Sequence, residues 1–316
     1  MNPNLDIQLL ESQAIHLINH KRLSQAHIKV LRALKYSTRK NGYLYSHLAD
    51  ILSEKKQYAK AQQNYQKSIL IVPNLAHAYY NWAVTLAIEE KYPEASLKLA
   101  QVIKINPWNI DAIHQLGKTY LKQQLYEEAD QAFRTLVALN PRYYKVYGEW
   151  AYARYFLRDF EGAKKYLYKG LRADGNDLEV HNMLGYILLI EQKYREAICC
   201  FKKAIEKNPL YTLAWLNWSL ALALQGKEKE AKEKFNKGIE TLRKEEKDRK
   251  KEIIGIYKLD LEVLEEYVGS IKDQNKKGGF VVSIEGVKRL VSLLEEENES
   301  EKEVEKLPEN IDLVGV

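Results

Sequence analysis

Seven histidines and two cysteines are the residues of this 316-residue chain whose types best suit metal or nucleophilic chemistry. His16 and His20 stand at i and i+4, a spacing that puts two imidazoles on one helical face. A zinc-protease pair of that kind needs a glutamate directly after the first histidine, and Leu17 stands there instead. His47, His77 and His114 could face one groove, but three histidines on successive units define no ligand geometry. Cys199 and Cys200 are neighbours, which on a helix point about 100° apart, so a disulfide between them would be strained. Thiols in that setting usually pack. There is no glycine-rich phosphate loop and no nucleophile elbow. The residues therefore predict no enzyme, no metal site and no cofactor.

The elements that carry these residues are legible from periodicity. Apolar residues make up 46% of the chain and charged residues 29%, a globular rather than a disordered profile. Tyrosine (22) far outnumbers phenylalanine (6), which suits half-buried positions and interfaces. Pro73, Pro107, Pro141 and Pro209 are spaced 34, 34 and 68 residues apart, and the turn Asp174-Gly175-Asn176-Asp177 fills the missing stop. Ala61, Ala95, Ala129, Ala163, Ala197 and Ala231 recur every 34 residues. Four residues after each come Tyr65, Leu99, Phe133, Leu167, Phe201 and Phe235, so a small and a large residue share one helical face. In the first half of each unit, Leu48-Ala49, Trp82-Ala83, Leu116-Gly117, Trp150-Ala151, Leu184-Gly185 and Trp218-Ser219 pair a large residue with a small one. This pattern predicts two amphipathic helices per unit joined by a short turn.

In these residues the chain resembles the tetratricopeptide repeat family. The fourth unit supplies Ile113, Leu116-Gly117, Tyr120, Ala129, Phe133 and Pro141; the sixth supplies His181, Leu184-Gly185, Leu188, Ala197, Phe201 and Pro209. The resemblance implies an all-α, right-handed α-solenoid of about seven helix-turn-helix repeats. These fall at about 7–41, 42–75, 76–109, 110–143, 144–177, 178–211 and 212–245, the first looser by one residue. It further implies that the first helix of each pair lines a concave groove through unit positions 2, 5, 6, 9, 12 and 13. On this chain, the candidate partner-binding residues at those positions are Tyr80, Asn81, Val84, Ile88, Tyr152, Tyr155, Phe156, Tyr186, Leu216, Asn217 and Leu220. An exposed stripe this apolar marks an interaction site, although part of it must pack against neighbouring helices. Asn81 and Asn217 partly match the asparagine ladder that holds peptide backbone in some long members of the family. The absence of lysine at position 5 argues against a carboxylate clamp.

Residues 246–273 read as a long amphipathic helix that caps the open end of the array. Residues 274–294 read as a hinge at Lys276-Lys277-Gly278-Gly279 followed by a short amphipathic helix carrying Val287, Leu290, Val291 and Leu294. Residues 295–316 carry a net charge of −7 against +6 for the whole chain, so the remainder carries +13. This acidic end is expected to be disordered and solubilising, with self-inhibition of the basic body as the alternative. Neither a signal peptide nor a run of 18 apolar residues is evident, and a cytoplasmic protein is expected. The expected function is a non-catalytic scaffold or adaptor that holds an extended or helical segment of a partner protein. The alternatives are a targeting subunit for a separate enzyme such as a glycosyltransferase, self-association and, with less support, RNA binding by the basic body.

Overall fold

The computed structural model describes residues 3–37, 41–175, 177–244, 247–270 and 284–295, and every described element is helical. The expected hinge at Lys276–Gly279 and the acidic segment from residue 296 onward lie outside the described residues. The chain forms two compact units, Met1–Tyr143 and Tyr144–Val316.

The first unit consists of four antiparallel helix pairs: α1 (Pro3–Asn19) with α2 (Leu23–Tyr36), α3 (Gly42–Glu54) with α4 (Tyr58–Ile71), α5 (Ala76–Ile88) with α6 (Tyr92–Ile105), and α7 (Ile110–Lys122) with α8 (Tyr126–Leu139). The second repeats the motif with α9 (Val146–Phe156) and α10 (Phe160–Ala173), α11 (Leu178–Ile190) and α12 (Tyr194–Lys207), and α13 (Thr212–Leu224) and α14 (Glu228–Leu242). It ends in the 24-residue helix α15 (Lys247–Ser270) and a helix over 284–295, here α16.

Each pair is closed by the residues that set the 34-residue rhythm. Ala61, Ala95, Ala129, Ala163 and Ala197 are all completely buried, as are Phe133 and Phe201. The small residue of the first helix receives the ring of the second. A Cβ added to Gly185 would lie 2.6 Å from the Phe201 ring, and one added to Gly117 would collide with Phe133. Between pairs, the asparagine before Pro107, Pro141 and Pro209 caps the turn. Asn106, Asn140 and Asn208 accept from the amides of Trp108, Arg142 and Leu210 at 3.0–3.2 Å.

Within each pair the chain reverses through one left-handed residue. Lys56, Glu90, Gln124, Arg158 and Gln192 have φ between 59° and 61°, Gly226 has φ 74°, and Lys21 has φ 56°. At the first of these, the amide of Gln57 donates to the Leu52 carbonyl at 2.8 Å and that of Lys56 to Ser53 at 2.8 Å, which is Schellman closure. This fourth 34-residue register was invisible in the sequence because glycine occupies it only once.

Candidate functional site

The first helices of the pairs carry the predicted groove residues, and the two units treat them differently. In the first unit Tyr80, Asn81 and Val84 on α5 are partly exposed, and Ile88 is 56% exposed. Their neighbourhood is polar. Asp50 on α3 accepts at Oδ1 from the Tyr65 hydroxyl at 2.8 Å and from Asn81 Nδ2 at 2.8 Å. Its Oδ2 lies 3.1 Å from His77 Nε2 and 3.7 Å from His47 Nδ1. Burial alone would raise the Asp50 pKa, but bonds from His47, His77 and Asn81 and the charge of His77 outweigh it and hold the carboxyl at about 2. The bond to Asp50 in turn raises the pKa of His77. Asn81 therefore spends its amide on Asp50 rather than presenting it to an open groove. Asp50 was missed in the sequence. Its signal was a lone acid at position 9, where Val84, Tyr152, Tyr186 and Leu220 stand in other units.

In the second unit the expectation of an open groove is corrected. Tyr152 stays on the surface, but Tyr155, Phe156, Tyr186, Leu216, Asn217 and Leu220 are all buried. Leu216 packs toward Gly238 of α14, whose added Cβ would stand 2.7 Å from Leu216 Cδ2. Much of the rest is covered by the chain's own C-terminal helices. The Tyr257 hydroxyl of α15 donates to Asn217 Oδ1 at 2.7 Å, and Asn217 Nδ2 donates to Asn182 Oδ1 at 3.1 Å. Three residues further on, Asp260 is buried beside the hydroxyls of Tyr155 on α9 and Tyr186 on α11. Neither hydroxyl makes a hydrogen bond of good geometry, although both favour the anion. Burial dominates and pushes the Asp260 pKa up to about 7. Glu266 near the end of α15 pairs with Arg158 in the turn after α9. The helix thus crosses the inner positions of three successive pairs instead of capping the end of the array.

Helix α16 lies antiparallel to α15, joined by Lys258–Glu295 at 2.7 Å and Lys288–Glu265 at 2.6 Å. A Cβ added to Gly286 would stand 3.0 Å from both Leu220 and Leu224 of α13, so α16 also presses on the predicted stripe. The physical reason for the correction is mutual. The stripe offers apolar area, and α15 supplies Ile253, Tyr257, Leu264 and Val268 at helical spacing to remove it from water.

The lysines of the basic body are partly absorbed by ring faces and ion pairs. Lys98 lies 3.9 Å from the centroid of Trp82, Lys202 lies 5.2 Å from that of Trp218, and Lys164 pairs with Glu161 and Glu191. Cys199 and Cys200 are free, and burial pushes the Cys200 thiol up to about 11. Among the described residues no helix is long and apolar enough to cross a membrane.

Within each unit, helix pairs of fixed length follow one another along the chain, which defines a helical repeat protein. Family models described as tetratricopeptide repeat match residues 43–75, 86–145 and 178–209. The chain belongs to the tetratricopeptide repeat family. It is similar to the cytochrome c-type biogenesis protein CycH of Pseudomonas aeruginosa, 26% identical over 157 residues, covering 44% of this chain and 38% of that protein. It is also similar to the human protein O-mannosyl-transferase TMTC3, 23% identical over 63% of this chain and 23% of that protein. The chain therefore spans well under half the length of these two relatives. An uncharacterized protein of Methanocaldococcus jannaschii, MJ0572, is 38% identical over 77 residues, which are 24% of this chain and 72% of that one. Among solved structures, PilF of Pseudomonas aeruginosa matches with a TM-score of 0.56 at 17% identity, covering 66% of this chain and 95% of that one. MamA of Desulfovibrio magneticus matches with a TM-score of 0.51 at 19% identity, covering 55% and 98%. These likenesses concern the fold.

Proposed function

We propose that this chain is a non-catalytic adaptor whose inner helix faces take an amphipathic helical segment of a partner protein. In this reading α15 and α16 are the resident occupants of the second unit's face. The observation that carries it is the placement of α15, whose Tyr257 donates to Asn217 of α13 and whose Asp260 sits beside Tyr155 of α9 and Tyr186 of α11. A face that accepts the chain's own amphipathic helix has the shape and chemistry to accept another of the same kind, the helix-in-groove mode. The partner segment would carry apolar residues at i, i+3 or i+4 and i+7, with one hydroxyl or amide for Asn217. CycH is named for a biogenesis role, which agrees with assembly work but names no partner for this chain.

The test is to offer a labelled peptide of residues 247–270 to the full chain and to a full chain carrying Tyr257→Ala and Leu264→Ala. The loosened chain should bind the peptide at least about tenfold more tightly than the intact one, because its own helix competes less. Equal and negligible binding by both chains would sink the reading.

A further inference from the structure

We propose that the first unit holds a binding site for a divalent transition-metal ion, of the zinc, cobalt or nickel type, made by His47 and Asp50 of α3 and His77 of α5. The proposal stands apart from the adaptor reading, since it uses the other unit and needs no partner.

One ligand atom from each of the three side chains lies within 4.8 Å of the other two. Asp50 Oδ2 is 3.7 Å from His47 Nδ1 and 3.1 Å from His77 Nε2. In a tetrahedral site with bonds of about 2.0–2.1 Å, ligand atoms stand about 3.3 Å apart, so the two Asp50 separations are already close and side-chain rotation that moves the imidazoles by up to about 1.5 Å would complete the geometry. Two imidazoles and one carboxylate are a donor set for borderline metals rather than for calcium or magnesium, which demand oxygen.

The surroundings resemble the support such sites need. A ligating carboxylate is held by bonds to its other oxygen, and Asp50 Oδ1 accepts from Tyr65 and Asn81, both at 2.8 Å. A ligating imidazole turns its second nitrogen to a carboxylate, and His47 Nε2 lies 3.8 Å from Glu11 Oε1 of α1. The arrangement without metal is also internally at odds. His77 Nε2 sits 3.1 Å from Asp50 Oδ2, where it must donate, and 3.1 Å from Asn81 Nδ2, where it must accept. A cation between Nε2 and Oδ2 would take the nitrogen lone pair and replace the donation to Asp50, leaving Asn81 Nδ2 to its bond with Asp50 Oδ1 at 2.8 Å. His77 is half exposed, which leaves a path from solvent and room for a water as fourth ligand. Bound metal would staple α3 to α5, two helices of successive pairs.

Titration calorimetry of the full chain with Zn²⁺, Ni²⁺ and Co²⁺ tests this, with the visible spectrum of the Co²⁺ form reporting coordination number. His77→Ala is the informative variant because a half-exposed side chain can be removed without opening the core. His20→Ala is the control, since His16 and His20 form the other histidine pair on the unit. The intact chain should bind one equivalent with the intense absorption of four-coordinate Co²⁺. His77→Ala should weaken binding by about tenfold or more with unchanged helicity, while His20→Ala leaves it as it was. No binding by the intact chain, binding unaffected by His77→Ala, or a loss that follows His20→Ala would each overturn the site.

Discussion

Asp260 is the residue on which docking of the C-terminal helix should turn. Its carboxyl is buried between α15 and the inner face, among Tyr155, Tyr186 and Tyr257. The docked form keeps its proton up to about pH 7, whereas a released aspartate loses it at about pH 4. Between those values the docked state binds more protons than the released one, so docking weakens as pH rises through that window and levels off above it. Limited proteolysis of α15 across pH should show this, with cleavage increasing from pH 4 to pH 7. Asp260→Asn should flatten the profile; an unchanged slope would mean that another group titrates. Sequence reading named Asp50 and Asp260 nowhere, because the meaning of a lone acid depends on what tertiary structure places around it. Tyr155, Tyr186 and Asn217, by contrast, were expected on the inner face, and all three meet side chains of α15. What they could not disclose was that it is already filled.

At the scale of the element, the 34-residue unit was legible almost in full. Alanine, large apolar and proline registers each encode a packing or stop requirement that belongs to one helix pair, so local pattern sufficed. The exception is the left-handed turn residue, occupied by Lys, Glu, Gln and Arg as well as Gly226. A non-glycine residue in that region is strained by about 1–2 kcal/mol, partly offset by glycine's larger entropy when unfolded. Gln124→Gly should therefore raise stability by about 0.5–1 kcal/mol in urea unfolding; a loss would show that the turn is not strained. The opposite is expected where a first helix meets an aromatic ring. Gly117→Ala puts a methyl against Phe133 and should cost about 1–3 kcal/mol by the same measurement. The role of α15 was the element-level misreading. Its amphipathic stripe was evident, but a stripe says only that a helix must be covered, and choosing between an end and a groove requires contacts far apart in sequence.

For the whole molecule, the proposed adaptor role implies that binding capacity is divided between two units of unlike state. The first offers Tyr80, Val84 and Ile88 to solvent beside the Asp50 cluster, and the second has its inner residues beneath α15 and α16. A partner of the second unit must displace a resident helix whose Leu264 is fully buried. Truncating that leucine to alanine should weaken docking by about 2–5 kcal/mol. Partner affinity at the second unit should accordingly be limited by the fraction of chains with the helix released. The measurement that bears most directly on this account is amide hydrogen exchange along residues 247–270 in the intact chain and in the Tyr257→Ala/Leu264→Ala chain. Protection of α15 approaching that of α13 in the intact chain, lost in the variant while α9–α14 stay protected, is the predicted result. Exchange of α15 in the intact chain as fast as in a free helix would contradict it.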